Sequence, residues 1–103
     1  VQILINMFDY GMNPQEAGDA ARMNHTGGRR PTGAGDDDLL GVLHLEPGGS
    51  QETIKKIEDM GHRVEVVTDG VMFGGYQAIY KDQETGVYIG ATEMRKDGLA
   101  IGY

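Results

Sequence analysis

The spacing of apolar positions along this chain changes several times, and each change marks an element. Residues 1–10 carry apolar or aromatic side chains at Val1, Ile3, Leu4, Ile5, Met7, Phe8 and Tyr10. That density is too high for a helix with one wet face. It predicts a buried helix, or a buried strand running into one, that needs neighbours on most sides. Gly11 breaks it. Asn13 can then cap free N–H groups, Pro14 fits a first helical position, and Glu16 can close a capping box, which predicts a short helix from 14 to about 21. Residues 39–45 read as a strand that ends at Glu46, Pro47 and Gly48. Ser50 caps a predicted helix over 51–60, with Ile54, Ile57 and Met60 on one face and Gly61 just past its end. Residues 63–68 alternate, with Val64 and Val66 opposite Glu65, and predict a further strand. Residues 76–81 and 87–92 predict a hairpin around the five-residue loop 82–86, which ends in Gly86. Roughly four strands and three helices make an α+β fold, an antiparallel sheet packed on helices.

Composition adds a turn-rich character. The 103 residues suffice for one domain, 39% of them are hydrophobic, and 17 are glycine. Residues 26–38 hold four glycines, a proline and a charge run, and are predicted to form a mobile loop. The formal net charge is −7, and the two basic pairs, Arg29-Arg30 and Arg95-Lys96, are each followed by acids, which argues against nucleic acid as a partner. There is no cysteine, hence no disulfide and no thiolate metal site. No apolar run approaches the ~20 residues of a membrane span. The start Val1-Gln2-Ile3-Leu4 shows no signal peptide and reads as the interior of an element, so any export signal is expected on a preceding segment.

Candidate chemistry is sparse. His25, His44 and His62 do not stand at helical-pair spacing, and no metal or other cofactor is expected from them. Asp36, Asp37 and Asp38 lack the alternating oxygen ligands of a calcium loop and read as a solvated acidic run. Gly74-Gly75 has no following Lys-Ser/Thr pair and reads as a bulge or turn that re-aims the strand carrying Gln77. Ser50 reads as a helix cap, and no complete nucleophile–base arrangement is legible. Arg22 and Arg95 stand out. Arg22 is expected to close the short helix, where a cation suits the dipole. Arg95 follows the last strand between Glu93 and Asp97. For both, two readings stay open: a structural ion pair or cap on backbone carbonyls, and a buried carboxylate network beside a site, which a planar guanidinium engages bidentately.

Three blocks carry a family resemblance: Asp9-Tyr10-Gly11-Met12-Asn13 with Glu16, Ala17, Arg22 and His25; Gly74 with Gln77-Ala78-Ile79; and the terminal Arg95 with Gly102-Tyr103. They resemble, in order, the C-terminal part of the small subunit of γ-glutamyltranspeptidases. The chain departs from the family pattern at Ala21, Met23, Asn24 and at Glu93-Met94. The resemblance implies a segment of a four-layer αββα N-terminal nucleophile hydrolase, with the large subunit and the N-terminal part of the small subunit as partners. It implies a γ-glutamyl amide such as glutathione as substrate, attacked by an N-terminal threonine through an acyl-enzyme. The nucleophile and oxyanion groups are expected before Val1, so the chain alone is expected to be inert. Arg22 and Arg95 match arginines that support maturation and the site, and Arg95, in the denser block, is expected to matter more. A stand-alone binding or structural domain, or a relative acting on other amides, stays open as the alternative. The compartment is left open.

Overall fold

The computed structural model of the chain describes residues 1–27 and 41–102. In chain order the elements are α1 (Gln2–Phe8), α2 (Pro14–Asp19), β1 (Met23–Thr26), β2 (Val42–Leu45), α3 (Gln51–Asp59), β3 (Val64–Val66), a 3₁₀ turn (Gly70–Phe73), β4 (Gln77–Lys81) and β5 (Tyr88–Thr92). They fall into two compact units: Val1–Ala20 with Gly74–Tyr103, and Ala21–Phe73. The chain is thus a mixed α+β protein. Most of the predicted 26–38 loop lies outside the described residues, and its first residue, Thr26, belongs to β1.

In the first unit, α2 starts as its sequence dictates. The Asn13 side chain accepts from the Glu16 amide, the Glu16 carboxylate accepts from the Asn13 amide, and Pro14 occupies the first turn. The β4–β5 hairpin is antiparallel, with Ala78 opposite Ala91. α2 packs on β5, and Ala17 and Ala91 are buried. The Gln15 side-chain amide fixes the end of β5, donating to the Thr92 carbonyl at 2.8 Å and accepting from the Thr92 amide at 3.1 Å. The Tyr76 hydroxyl donates to the Pro14 carbonyl at 3.1 Å, and burial pushes its phenol up from the usual range.

The Tyr76 ring lies so close to Gly18 that a Cβ there would sit 2.5 Å from the ring. Gly18→Ala is therefore expected to destabilise this unit by roughly 1–3 kcal/mol, although alanine is the better helix former, because overpacking outweighs propensity. A thermal midpoint equal to or above that of the parent would contradict this.

α1 takes the helical one of the two forms that the spacing allows, and within this chain alone it is not enclosed. None of its residues is buried among the described residues, and Phe8 is 69% exposed. The physical reason is a shortage of neighbours: α1 packs on α2, and an open groove of about 280 Å³ lies beside Met7, Phe8, Met12, Tyr80 and Ile89.

The hairpin turn closes with Asp82. Its carboxylate accepts from the Thr85 hydroxyl and the Glu84 amide. The Thr85 hydroxyl, then the Glu84 amide, hold the Asp82 carboxyl below the usual carboxylate range. A depressed folded value means the turn is most favoured above the unfolded value of ~3.9 and loosens as pH falls through the lower folded one. The Asp82 carboxyl resonance, followed by NMR, should titrate below that of an unfolded peptide, and Thr85→Val should move it up. An Asp82 midpoint unaffected by Thr85→Val would refute the assignment.

In the second unit the strand order is β1-β2-β3. β1 pairs antiparallel with β2, but β2 and β3 are parallel, which corrects the expectation of a wholly antiparallel sheet. Helix α3 is the cause: a crossover helix between neighbouring strands returns the chain to the same end, so the strands run the same way. α3 is capped as predicted, Ser50 accepting from the Thr53 amide, and Gly61 follows with φ of 94°. Leu43 and Leu45 face Val64 and Val66 in register, while His44 faces Glu65. Between β2 and β3 one side of this small sheet is therefore apolar and the other polar.

Candidate functional site

The polar side of the second unit holds Arg22. It does not close α2: that helix ends at Asp19, and Arg22 precedes β1. Its guanidinium forks onto Glu46, Nε donating to Oε2 at 3.1 Å and Nη2 to Oε1 at 2.9 Å. The Arg22 backbone amide adds a third bond to Glu46 Oε2 at 2.9 Å, and the Glu46 amide donates to the Arg22 carbonyl. Both residues are buried, at 8% and 7% exposure. The guanidinium also donates to the Phe73 carbonyl at 3.3 Å and lies 5.5 Å from the centre of the Phe73 ring. Arg22 thereby ties the start of β1 to the end of β2 and to the 3₁₀ turn. A planar, permanently charged fork suits this task better than an ammonium.

Arg95, in the first unit, takes the role expected of Arg22. Nη1 donates to the Gly18 carbonyl at 2.8 Å, and Nη2 to the carbonyls of Asp19 and Ala20 at 2.9 and 3.2 Å. These are the orphan carbonyls at the C-terminus of α2, where a cation also meets the negative end of the helix dipole. Glu93 lies beneath, 1% exposed; its carboxylate accepts from the Arg95 amide at 3.2 Å and stands 3.8 Å from Nη1. Both sets of contacts are of the structural kind: Arg22 makes a buried bidentate ion pair, and Arg95 chiefly caps carbonyls.

Of the two acidic partners, Glu93 is legible as an acid flanking Arg95, and Glu46 is not legible. Glu46 adjoins a predicted strand end and Glu93 follows another, positions where glutamate is usually solvated. Gly74, with φ of 77°, lies between the 3₁₀ turn and β4. Among the described residues no group of three or more His, Asp or Glu side chains is placed to hold a metal ion, and no helix is long and apolar enough to cross a membrane. The acidic run at 36–38 lies outside the described residues.

The sequence profile described as Gamma-glutamyltranspeptidase matches residues 1–103. This chain belongs to the γ-glutamyltranspeptidase family. A glutathione hydrolase-like proenzyme of Bacillus subtilis, YwrD, is 36% identical over 102 residues, which is 97% of this chain and 18% of the relative. Among solved structures, the cephalosporin acylase of Bacillus halodurans superposes with a TM-score of 0.76 at 33% identity, over 99% of this chain and 17% of that one. The Bacillus anthracis transpeptidase CapD superposes with a TM-score of 0.75 at 20% identity, over 100% of this chain and 54% of that one, a likeness of fold alone. The chain thus spans under a fifth of the curated γ-glutamyltranspeptidase-family relative and about half of the CapD chain.

Proposed function

We propose that this chain is the C-terminal structural segment of a γ-glutamyltransferase or γ-glutamyl hydrolase. It would contribute sheet and helix to a four-layer N-terminal nucleophile hydrolase built with the large subunit and the rest of the small subunit. The reaction is cleavage of a γ-glutamyl amide such as glutathione: a threonine outside this chain attacks the carbonyl, an acyl-enzyme forms, and water or an amino acid takes the glutamyl group. The observation that carries this reading is a family match along the entire chain, alongside a relative of which the chain spans only 18%. The unenclosed apolar face of α1 supports it, because a patch of that kind marks a surface made for packing. Arg22 and Arg95 then act away from the substrate, holding the β1–β2 junction and the end of α2 so that maturation and the site keep their geometry.

A second reading rests on the 33% identity to a cephalosporin acylase: the same scaffold serving hydrolysis of a different amide. Purified residues 1–103 are expected to leave γ-glutamyl-p-nitroanilide untouched, whereas the complete precursor turns it over after self-cleavage. Turnover by 1–103 alone, abolished by a single substitution within it, would refute the segment reading. A complete enzyme that hydrolyses cephalosporins and not γ-glutamyl anilide would favour the second.

A further inference from the structure

The polar side of the β1–β2–β3 sheet carries a row that neither the family match nor the proposed reaction uses. Thr26 on β1, His44 on β2 and Glu65 on β3 lie side by side. Thr26 Oγ1 is 2.9 Å from His44 Nε2, and His44 Nδ1 is 3.5 Å from Glu65 Oε2. The register makes the arrangement: His44 pairs directly with Glu65 across the parallel ladder, and Thr26 pairs with Val42, two residues from His44, across the antiparallel one. All three side chains therefore leave the same face of the sheet.

The imidazole is the buried member. His44 is 8% exposed, and its Nδ1 is a buried nitrogen with no hydrogen-bond partner among the described residues. Thr26, by contrast, is exposed, as is the Glu65 carboxylate. A buried base with one nitrogen on a reachable hydroxyl and the other turned toward a carboxylate is the arrangement that activates a hydroxyl for attack, whatever its chain order. In the tautomer with the proton on Nδ1, toward Glu65, Nε2 presents its lone pair to Thr26 and the hydroxyl is the donor. At 3.5 Å the outer contact is longer than a hydrogen bond, and the Glu65 carboxylate lies at the surface beside the imidazole.

We infer that Thr26, His44 and Glu65 form an acyl-accepting site for small activated esters. Thr26 Oγ1 attacks the ester carbonyl and its proton passes to His44 Nε2. The bond from the acyl carbon to the leaving oxygen breaks, and that proton goes on to the departing alkoxide or phenolate. The product is an ester of Thr26 and one equivalent of alcohol or phenol. Thr26 is the catalytic nucleophile, His44 the general base and Glu65 a positioning residue.

The test uses the complete protein carrying this chain and p-nitrophenyl acetate as the probe. After timed exposure, trypsin releases residues 23–29, bounded by Arg22 and Arg29, so acetyl on Thr26 is read directly by fragmentation. The expected result is acetyl-Thr26 that is abolished by Thr26→Val and slowed ~10²–10⁴-fold by His44→Gln. Thr26→Ser should label at least as fast, its hydroxyl being less hindered. Glu65→Gln should slow labelling, Glu65→Asp should restore part of the rate, and the Nδ1–H proton resonance of His44 should disappear in the Gln variant alone. Acetyl confined to lysines, or Thr26 labelled at the parent rate in His44→Gln, would overturn the inference and leave the row a structural ladder. Should His44→Gln not fold, an unchanged rate in the exposed Glu65→Gln variant overturns it equally.

Discussion

Replacing Glu46 by glutamine is expected to lower stability by about 3–5 kcal/mol, the usual cost of breaking a buried ion pair by removing one partner. The carboxylate accepts hydrogen bonds from Arg22 N, Nε and Nη2, and the two side chains are 8% and 6% exposed. Solvent therefore screens little of the interaction. By contrast, the exposed α3 pairs Lys55–Asp59 and Lys56–Glu52 belong to the class worth about 0.3–0.5 kcal/mol each. Glutamine keeps the shape but removes the charge, and turns an N–H₂ group or a weaker carbonyl toward a cation that cannot shed its proton. Urea denaturation of the complete protein should show an earlier midpoint with an unchanged slope. The double variant Arg22→Met/Glu46→Leu should recover much of the loss, since no unpaired charge remains. A parent-like midpoint for Glu46→Gln would show that the pair contributes nothing.

Arg95→Lys is expected to cost about 1.5–3 kcal/mol for the loss of charged hydrogen bonds, and to slow subunit cleavage in the complete precursor. An ammonium has three donors, but they radiate from one atom, whereas the guanidinium reaches the Gly18, Asp19 and Ala20 carbonyls from two nitrogens. Arg95→Met should be worse, because Glu93, 1% exposed, then loses the nearby positive charge. Arg22→Lys should also impair folding, through its lost fork. The sequence ranks Arg95 first on the expectation that it grips carboxylates, but the carboxylate fork belongs to Arg22, so the stability ranking is expected to invert while Arg95 governs α2. The measurements are precursor cleavage on a gel and thermal midpoints. Normal cleavage and melting in Arg95→Lys would make that arginine dispensable.

What was legible in the sequence was local chemistry. Asn13, Pro14 and Glu16 announce α2, Ser50 and Gly61 bracket α3, and Gly86 marks the hairpin, because each acts within four or five residues of its own position. What was illegible depended on register. Met23-Asn24-His25-Thr26 has no apolar alternation and is a strand only because β2 lies beside it. The strand–helix–strand order that makes β2 and β3 parallel is legible, but not that these two strands are neighbours. Arg22, Arg95 and its flanking Glu93 stand out in the sequence, but Glu46 does not, and the residues in a row with Thr26 stand 18 and 39 positions away.

The order in which the two units occur along the chain has a consequence for synthesis. Ala21–Phe73 is continuous, whereas the other unit is assembled from Val1–Ala20 and Gly74–Tyr103, on either side of it. The clamp from Arg95 spans 75–77 residues, and the Gln15–Thr92 clasp spans 77. Within this split unit, α1 and α2 leave the ribosome before β5 and Arg95, so neither the Gln15 clasp nor the Arg95 clamp can close until the interposed unit has been made. A nascent chain halted before Thr92 would hold a continuous middle unit and an unclasped α2, the species on which a chaperone or protease would act.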